Sequence, residues 1–171
     1  GEFLNSLERY DPSTNAWEEE AVAPMPAARK YVCTAVLDGK LYAVGGRSEA
    51  DGEAEGEAAA TFNLVERYDF ATNVWEAVTP MPSARRHVGT AVLEGKLYAV
   101  GGINEHDDIL SSVERYDPAV GAWEAVAPMA EAREAHAVAA LDLDGKLYAV
   151  GGYDGDYNVK LYAVGGRSDD E

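Results

Sequence analysis

The heptapeptide Lys-Leu-Tyr-Ala-Val-Gly-Gly occurs four times in this chain and constrains its fold more than any other feature. It stands at residues 40–46, 96–102, 146–152 and 160–166 with every residue identical. Repetition at a spacing of tens of residues is typical of chains that stack one small structural unit several times. All four copies end in a double glycine, and those of the first three copies, which mark the repeat, are Gly45, Gly46, Gly101, Gly102, Gly151 and Gly152.

Three further markers recur in a fixed order around the heptapeptide. Glu-Arg-Tyr-Asp lies at residues 8–11, 66–69 and 114–117, a tryptophan follows each tyrosine by seven residues, and a Pro-Met pair comes next. The spacing defines a unit of about fifty residues, with insertions at 18–20, 49–60 and 141–144. The aromatic markers are Tyr10, Tyr68, Tyr116, Trp17, Trp75 and Trp123.

Each unit predicts four short β-strands, here named a to d. Strand a (residues 31–37, 87–93 and 136–141) ends at an Asp-Gly or Glu-Gly pair, which is a strong signal for a tight hairpin. Strand b is Lys-Leu-Tyr-Ala-Val, strand c covers residues 6–11, 64–69 and 112–117, and strand d runs from tryptophan to Pro-Met. No segment has a helical period, so the fold class is all-β.

The size of the side chains differs between the strands in a way that favours a β-propeller. Strand a holds Cys-Thr-Ala, Gly-Thr-Ala and Ala-Val-Ala at residues 33–35, 89–91 and 137–139, whereas strands c and d hold Tyr, Arg and Trp. Small side chains suit sheets that converge on an axis, and large ones suit the region where they splay apart. We therefore expect radially arranged four-stranded blades, with the aromatic markers filling the widening space between them.

The combination of Gly-Lys-Leu-Tyr-Ala-Val-Gly-Gly, Val-Glu-Arg-Tyr-Asp-Pro, Trp and Pro-Met resembles kelch repeats over residues 6–152. The resemblance implies a β-propeller, most often six-bladed in the ubiquitin-ligase substrate adaptors whose kelch domains this sequence resembles most closely. We assign residues 6–158 to the propeller segment and 159–171 to a repeated strand with an acidic tail. Residues 1–5 are set aside as a leader, because Gly-Glu-Phe without Met looks like a cloning remnant.

The predicted strand order is c-d, a-b-c-d, a-b-c-d, a-b, which is three blades' worth per chain. Closed propellers need roughly four to eight blades. Two copies around a twofold axis would give six, with two composite blades that join strands a-b of one chain to c-d of the other, so we expect a homodimer. The competing interpretations are an excised part of a longer propeller and an engineered self-assembling half-propeller. The fourth heptapeptide complicates closure, because residues 159–162 stand where a strand c is expected and compete with residues 6–11 for that place.

In kelch adaptors the substrate is held on one face, by the d–a and b–c loops, and arginines there often bind acidic peptides. The matching d–a positions are Arg29, Lys30, Arg85, Arg86 and Arg133, and the b–c positions are Arg47, Asn104 and Tyr153. Arginine suits bidentate binding of carboxylates. The alternative is that Arg29, Arg85 and Arg133 pair with acids and carbonyls inside the repeat. The Glu-rich insertion at 49–57 lies on the same face and would shield these arginines from an acidic ligand.

No catalytic, metal or cofactor site is predicted. His87 and His136 begin strand a on different blades and are therefore expected to lie apart, and His106 lies in a solvated loop. Asp142-Leu143-Asp144-Gly145 lacks the glutamate that completes a calcium loop. Some related propellers are copper-radical oxidases with a tyrosine joined to a cysteine, but the tyrosines here stand at packing positions and Cys33 suits a buried packing role.

The charge of the chain limits its partners. With 31 acidic and 14 basic residues the net charge is −17, which disfavours nucleic acid and anionic membrane surfaces. A single cysteine and the absence of an Asn-x-Ser/Thr sequence favour a reducing, cytoplasmic setting. The sequence therefore predicts a non-catalytic scaffold for a protein or peptide, assembled with a second copy of itself. The alternative is a purely structural or engineered self-assembling half-propeller without a ligand.

Overall fold

The computed structural model describes residues 3–18, 22–48, 59–141 and 144–155 of the chain. Most of the insertion at 49–60, parts of the insertions at 18–20 and 141–144, and the fourth heptapeptide with its acidic tail lie outside these residues. The described part contains the strands β1 (Arg9–Asp11), β2 (Ala16–Glu18), β3 (Cys33–Leu37), β4 (Lys40–Val44), β5 (Val65–Asp69), β6 (Val74–Ala77), β7 (Gly89–Leu93), β8 (Lys96–Val100), β9 (Val113–Asp117), β10 (Ala122–Val126), β11 (Ala137–Leu141) and β12 (Lys146–Val150).

These strands form two complete antiparallel sheets and two half-sheets. β3–β6 make one four-stranded sheet, which we call the first blade, and β7–β10 make the second blade. The pair β1–β2 and the pair β11–β12 are two-stranded. The all-β expectation and the order c-d, a-b-c-d, a-b-c-d, a-b are therefore found in the structure, and we call the two pairs the leading and trailing half-blades.

Local turn chemistry explains why the strands fold back where they do. Strands β3 and β4 are joined by Asp38 and Gly39, with φ of 51° and 70°, as a tight hairpin between twisted strands requires. The c–d turn of the first blade is held by the Asp69 carboxylate, which accepts the backbone N–H of Ala71 at 2.9 Å. Both turns return the chain antiparallel to itself within a few residues.

The first strands of successive blades lie side by side, as expected for strands next to a propeller axis. β7 packs between β3 and β11. The hydroxyl of Thr90 donates to the carbonyl of Thr34 at 2.8 Å, and a Cβ on Gly89 would lie only 2.3 Å from Val138. Small residues on strand a therefore allow the blades to approach closely.

Two hydrophobic cores fill the spaces between the sheets. The core between the first and second blades includes Tyr42, Met81, Leu97 and Tyr116. A smaller core between the second blade and the trailing half-blade includes Tyr98 and Val113 with Leu147 against them. Burying apolar surface on this scale is the main stabilising contribution to such a stack.

Some repeat positions are buried inside the stack but exposed at its two ends. Tyr68 and Tyr116 are 1% and 4% exposed, whereas Tyr10 is 43% and Trp17 is 65% exposed. Tyr68 and Tyr116 of the complete blades are thus buried as predicted, whereas Tyr10 and Trp17 of the leading half-blade are not. None of the described ranges contains a helix long and apolar enough to cross a membrane.

Candidate ligand-binding face

The d–a and b–c loops of each blade meet on one side of the stack, and we call this surface the loop face. In each of the last three sheets the two loops are tied by an isolated antiparallel bridge. In the first blade the amide of Lys30 donates to the carbonyl of Arg47 at 3.1 Å, and the reverse bond is 2.9 Å. The bridged pairs are Lys30 with Arg47, Arg86 with Ile103, and Glu134 with Tyr153.

Three of the predicted ligand-binding arginines are buried, namely Arg29, Arg85 and Arg86. Arg29 is 3% exposed and Arg85 is fully buried. The guanidinium of Arg29 lies 2.7 Å from the carboxylate of Glu66, and that of Arg85 lies 2.9 Å from Glu114. Burial lowers the pKa of Arg29 from its ordinary value, and Glu66 opposes that lowering. Both guanidinium groups are thus engaged in internal contacts.

Arg133 takes the same place beside the trailing half-blade but is more accessible. Its Nη1 donates to the carbonyl of Gly151 at 3.1 Å, and its Nη2 lies 3.5 Å from the carboxylate of Glu131. The side chain of Arg133 is about a quarter exposed. Its contact with Glu131, an exposed residue of its own loop, differs from the buried pairs of Arg29 and Arg85.

Arg86 and Asn104 shape the b–c loop of the second blade. Arg86 lies 2.5 Å from the carboxylate of Asp107, and this cation lowers the pKa of that carboxyl. The side-chain carbonyl of Asn104 accepts the amides of His106 and Asp108. Asn104 and Arg86 therefore hold the backbone of this loop in place, and the loop presents acidic groups beside the predicted basic ones.

Lys30, Arg47 and Tyr153 remain accessible on the loop face. Lys30 is exposed, and its ammonium lies 4.4 Å from the ring centroid of Phe3 and 5.0 Å from that of Tyr31, which is the geometry of cation–π contacts. Arg47 is half-buried. Tyr153 is exposed and its hydroxyl donates to the carbonyl of Gly155 at 3.1 Å.

A row of residues with positive φ lines the inner edge of the loop face. Tyr31, His87 and Ala135 have φ of 58°, 50° and 49°, which is unusual for residues other than glycine. The amide of His87 donates to the carbonyl of Tyr31, and that of Ala135 donates to the carbonyl of His87, both at 3.2 Å. The rings of Tyr31 and His87 stack with centroids 3.9 Å apart. This row of residues was not predicted from the sequence.

The two histidines near strand a occupy different repeat positions, which corrects the sequence-based alignment. His87 takes the place of Tyr31 and Ala135, whereas His136 takes the place of Val88. The signal was present in the sequence, since His87 follows its arginine by two residues and His136 by three. His136 is buried, and neither ring nitrogen has a hydrogen-bond partner among the residues that the structure describes. Burial, reinforced by the nearby Arg133, lowers its pKa to about 4.

The remaining candidates for chemistry are scattered. Cys33 is half-buried where a buried packing position was expected, and its sulfur lies 3.2 Å from the hydroxyl oxygen of Thr90. His106 is exposed beside Glu105. Within the ranges that the structure describes, no three His, Cys, Asp or Glu side chains cluster in a way that could hold a metal ion. Residues 142–143 of the Asp-Leu-Asp-Gly segment lie outside the description.

Comparison with known proteins identifies relatives over most of the chain. The family model of the KLHDC2/KLHL20/DRC7 Kelch-repeats domain matches residues 1–152. Kelch-like protein 33 of Homo sapiens is 36% identical over 109 residues, which is 64% of this chain and 18% of that protein. Kelch-like ECH-associated protein 1A of Danio rerio is 43% identical over 100 residues, or 58% of this chain and 15% of that protein.

Structural comparison agrees on the fold. The solved structure of YjhT superposes with a TM-score of 0.69 at 20% identity, over 81% of this chain and 49% of that one. At this identity the likeness concerns the fold alone. The chain spans less than a fifth of the length of the curated relatives named above and about half of the solved structure.

Proposed function

This chain belongs to the kelch-repeat family, and from that premise we propose that it is a non-catalytic scaffold that binds a protein or peptide on its loop face. The name of the zebrafish relative describes a protein that associates with another protein. The observation that carries the proposal is the exposed cationic and aromatic surface formed by Lys30 and Tyr31 beside His87. Such a surface can bind an extended peptide through carboxylates and apolar side chains.

The burial of the arginines divides the predicted site into two groups. Arg29 and Arg85 are engaged with Glu66 and Glu114, so in this proposal they support the loops from below. The residues proposed to contact the ligand are those that remain accessible at the bridged loops, namely Lys30, Tyr31, Arg47, Asn104 and Tyr153. Asp107 pairs with Arg86 and reduces its availability to an acidic ligand.

A peptide-display selection on the full chain tests the binding function. We expect peptides rich in Asp or Glu with an apolar residue to be enriched, and their affinity to fall at least about tenfold in the variants Lys30→Glu and Arg47→Glu. Arg67→Glu is the matched control, because it makes the same charge change on β5, where Arg67 pairs with the exposed Glu76. Failure to enrich any peptide, or equal losses in all three variants, would contradict the proposal.

We also propose that two copies complete the propeller. The leading half-blade supplies strands c and d and the trailing half-blade supplies a and b, so one chain has what the other lacks. Exposed aromatic residues at both ends, including Tyr10, Trp17 and Tyr148, support a contact there. Light scattering after size-exclusion chromatography is expected to give twice the mass of the 18.3 kDa chain. A folded monomer at micromolar concentration would contradict this.

The second candidate function is self-assembly without a ligand, as in an engineered half-propeller. The four identical heptapeptides favour it, because near-identical repeats are typical of consensus repeat designs. The two experiments above separate the candidates: a dimer whose loop face enriches no peptide supports the purely structural role. A reducing, intracellular setting, expected from the cysteine usage, stays a prediction.

A further inference from the structure

The last described strand, β12, has the sequence of an interior strand, but its outer edge pairs with no described strand. In both complete blades strand b pairs with strand c, and in the second blade Leu97 lies opposite Tyr116 and Val100 opposite Val113. β12 has the same Lys-Leu-Tyr-Ala-Val sequence as β8, but it pairs with β11 alone among the described strands. Its outer edge therefore carries the same hydrogen-bonding groups without a described strand against them.

The contacts of Arg85 show what a complete blade provides at this edge. Arg85 Nη1 donates to the carbonyls of Gly101 and Ser112, each at 2.9 Å. Its Nη2 donates to the hydroxyl of Ser112 and lies 2.9 Å from the carboxylate of Glu114. Ser112 precedes strand c of the blade and Glu114 lies on it. A complete blade thus surrounds its arginine with a serine and a glutamate from that strand.

Arg133 has the first of these contacts and lacks the others. It donates to Gly151, which corresponds to Gly101, but no described third strand of the half-blade supplies the serine and the glutamate. Residues 6–11 read Ser-Leu-Glu-Arg-Tyr-Asp, against Ser-Val-Glu-Arg-Tyr-Asp at 112–117. Ser6 and Glu8 therefore correspond to Ser112 and Glu114, and both are exposed.

A cavity marks the place of the missing aromatic side chains. It has a volume of about 290 Å³ and lies between the second blade and the trailing half-blade. In the equivalent space between the two complete blades, Tyr116 lies 6.4 Å from Tyr42 and Trp123 donates to the carbonyl of Thr79. Tyr10 and Trp17 hold the repeat positions of Tyr116 and Trp123. The cavity is lined by Tyr98, Val113, Val126, Met129, Leu147 and Ala149, among others.

Charge distinguishes residues 6–11 from the other segment with a matching pattern, residues 159–163. That segment reads Val-Lys-Leu-Tyr-Ala where a complete blade has Val-Glu-Arg-Tyr-Asp. It would place Lys160 in the position of Glu114, next to a guanidinium. It would also place Ala163 in the position of Asp117, whose carboxylate binds Lys96 at 2.5 Å. Residues 6–11 supply both carboxylates, so they complement Arg133 and Lys146 where the tail does not.

We propose that strand β1 of a second copy pairs with β12, so that Glu8 of the second copy binds Arg133 and its Tyr10 enters the cavity. The inference rests on the proposed self-assembly and assigns its interface. A twofold axis places the same contacts at the other end, so each composite blade contains one such ion pair. The register follows from the second blade: Leu147 lies opposite Tyr10 of the second copy and Tyr148 opposite its Arg9.

Charge reversal in the full chain tests the ion pair. Glu8→Arg and Arg133→Glu are each expected to raise the Kd of the dimer at least about a hundredfold by analytical ultracentrifugation, because a charge is left unpaired in the interface. An equimolar mixture of the two variants is expected to form a mixed dimer more tightly than either variant alone. Glu124→Arg, at an exposed pair on β10, is the control and leaves the Kd unchanged.

The outcomes separate this inference from the proposed self-assembly. A wild-type dimer that neither reversal weakens overturns the inference and leaves self-assembly standing. A monomeric wild-type chain overturns both. Two tyrosine variants identify the occupant of the cavity. Tyr10→Ala is expected to weaken the dimer, and Tyr162→Ala is expected to leave it intact. The reverse result overturns the inference and indicates that the chain's own tail occupies the cavity.

A disulfide trap tests the register even if a charge-reversed variant fails to fold. Arg9→Cys with Tyr148→Cys, in a Cys33→Ser background, places two thiols opposite each other across the composite blade. Oxidation is expected to give a covalent dimer on a non-reducing gel. Arg9→Cys with Ala149→Cys is the matched control, since adjacent residues point to opposite faces of a strand. Equal crosslinking of both pairs, or of neither in a folded dimer, overturns the proposed register.

Discussion

At the scale of single residues, each complete blade is tied together by one buried ion pair. Arg29 stands before the first strand of its blade and reaches Glu66 on the third, 37 residues away, and Arg85 reaches Glu114 in the same manner. Removing water from two charges is unfavourable, so such a pair adds little net stability. Breaking it is costly, because the remaining charge stays buried. The pair therefore selects the blade arrangement in which both partners meet.

Neutralising the buried glutamate is expected to destabilise the chain strongly. Glu114→Gln leaves the guanidinium of Arg85 buried beside an uncharged group, and we expect the free energy of unfolding in urea to fall by about 3 kcal/mol. Glu124→Gln is the matched control on the neighbouring strand, where Glu124 pairs with Arg115 in an exposed position, and it is expected to cost less than about 1 kcal/mol. Equal losses in the two variants would contradict a special role for the buried pair.

His136 makes stability depend on pH. Its pKa in the folded chain is about 4, against an ordinary 6.5, so the unfolded chain binds more protons between these values. The contribution of the neutral His136 ring to the free energy of unfolding is fully present above about pH 6.5. As the pH falls towards 4, the free energy of unfolding decreases by up to about 3 kcal/mol.

The variant His136→Val, which introduces the residue found at position 88, is expected to remove this loss. Urea unfolding of wild type and variant at pH 7.5 and pH 5 measures the difference in slope, and the comparison cancels the effect of pH on the many carboxylates. His106→Val, which changes an exposed histidine, is the matched control. Parallel pH profiles for wild type and His136→Val would show that residue 136 is not the titrating group.

At the scale of elements, the double glycine at the end of strand b is where one blade meets the next. The amide of Gly46 donates to the carbonyl of Arg85 in the following blade at 2.9 Å, and Gly102 donates to Arg133 in the same way. A Cβ on Gly45 would lie 2.2 Å from the Arg85 carbonyl oxygen, and φ at Gly45 is +65°. The heptapeptide therefore ends in glycines for two reasons, backbone conformation and contact between blades.

Alanine substitution separates these two reasons. Gly45→Ala and Gly39→Ala both place a side chain at positive φ, but a Cβ at Gly39 meets nothing within 4 Å. We expect Gly39→Ala to cost about 1 kcal/mol and Gly45→Ala to cost at least about 2 kcal/mol more, since backbone atoms of two blades must move apart. Thermal unfolding measures both, and similar Tm values would mean that the contact between blades is not tight.

The strands could be predicted from the sequence, because they depend on contacts between residues that are close in the chain. The site could not, because it depends on contacts between residues that are far apart in the chain. Asp38-Gly39 and the alternating strand pattern act within a few residues, so the strand order could be predicted from them. The pairing of Arg29 with Glu66 and the stacking of Tyr31 on His87 join different strands or blades. Those contacts decide which basic groups are buried, and no local pattern contains that information.

At the scale of the whole molecule, the ends of the stack contain the same repeat residues that make contacts between blades in its interior. Gly151 repeats Gly45 and Gly101, which lie against the carbonyls of Arg85 and Arg133. A Cβ at Gly151 meets no described atom within 4 Å. If two copies close the ring, the backbone of Arg29 in the second copy takes the corresponding place. Gly151 then becomes a contact between chains.

Unfolding of such a dimer depends on protein concentration, because dissociation accompanies unfolding. A tenfold increase in concentration is expected to stabilise the wild-type chain by about 1.4 kcal/mol per dimer and to raise its Tm. Gly151→Ala is expected to abolish this dependence, because its Cβ would collide with the second copy. Gly121→Ala has the same φ of +70° and the same open surroundings, so it carries the conformational cost alone and keeps the dependence. If Gly151→Ala keeps it as well, the ring does not close over this glycine.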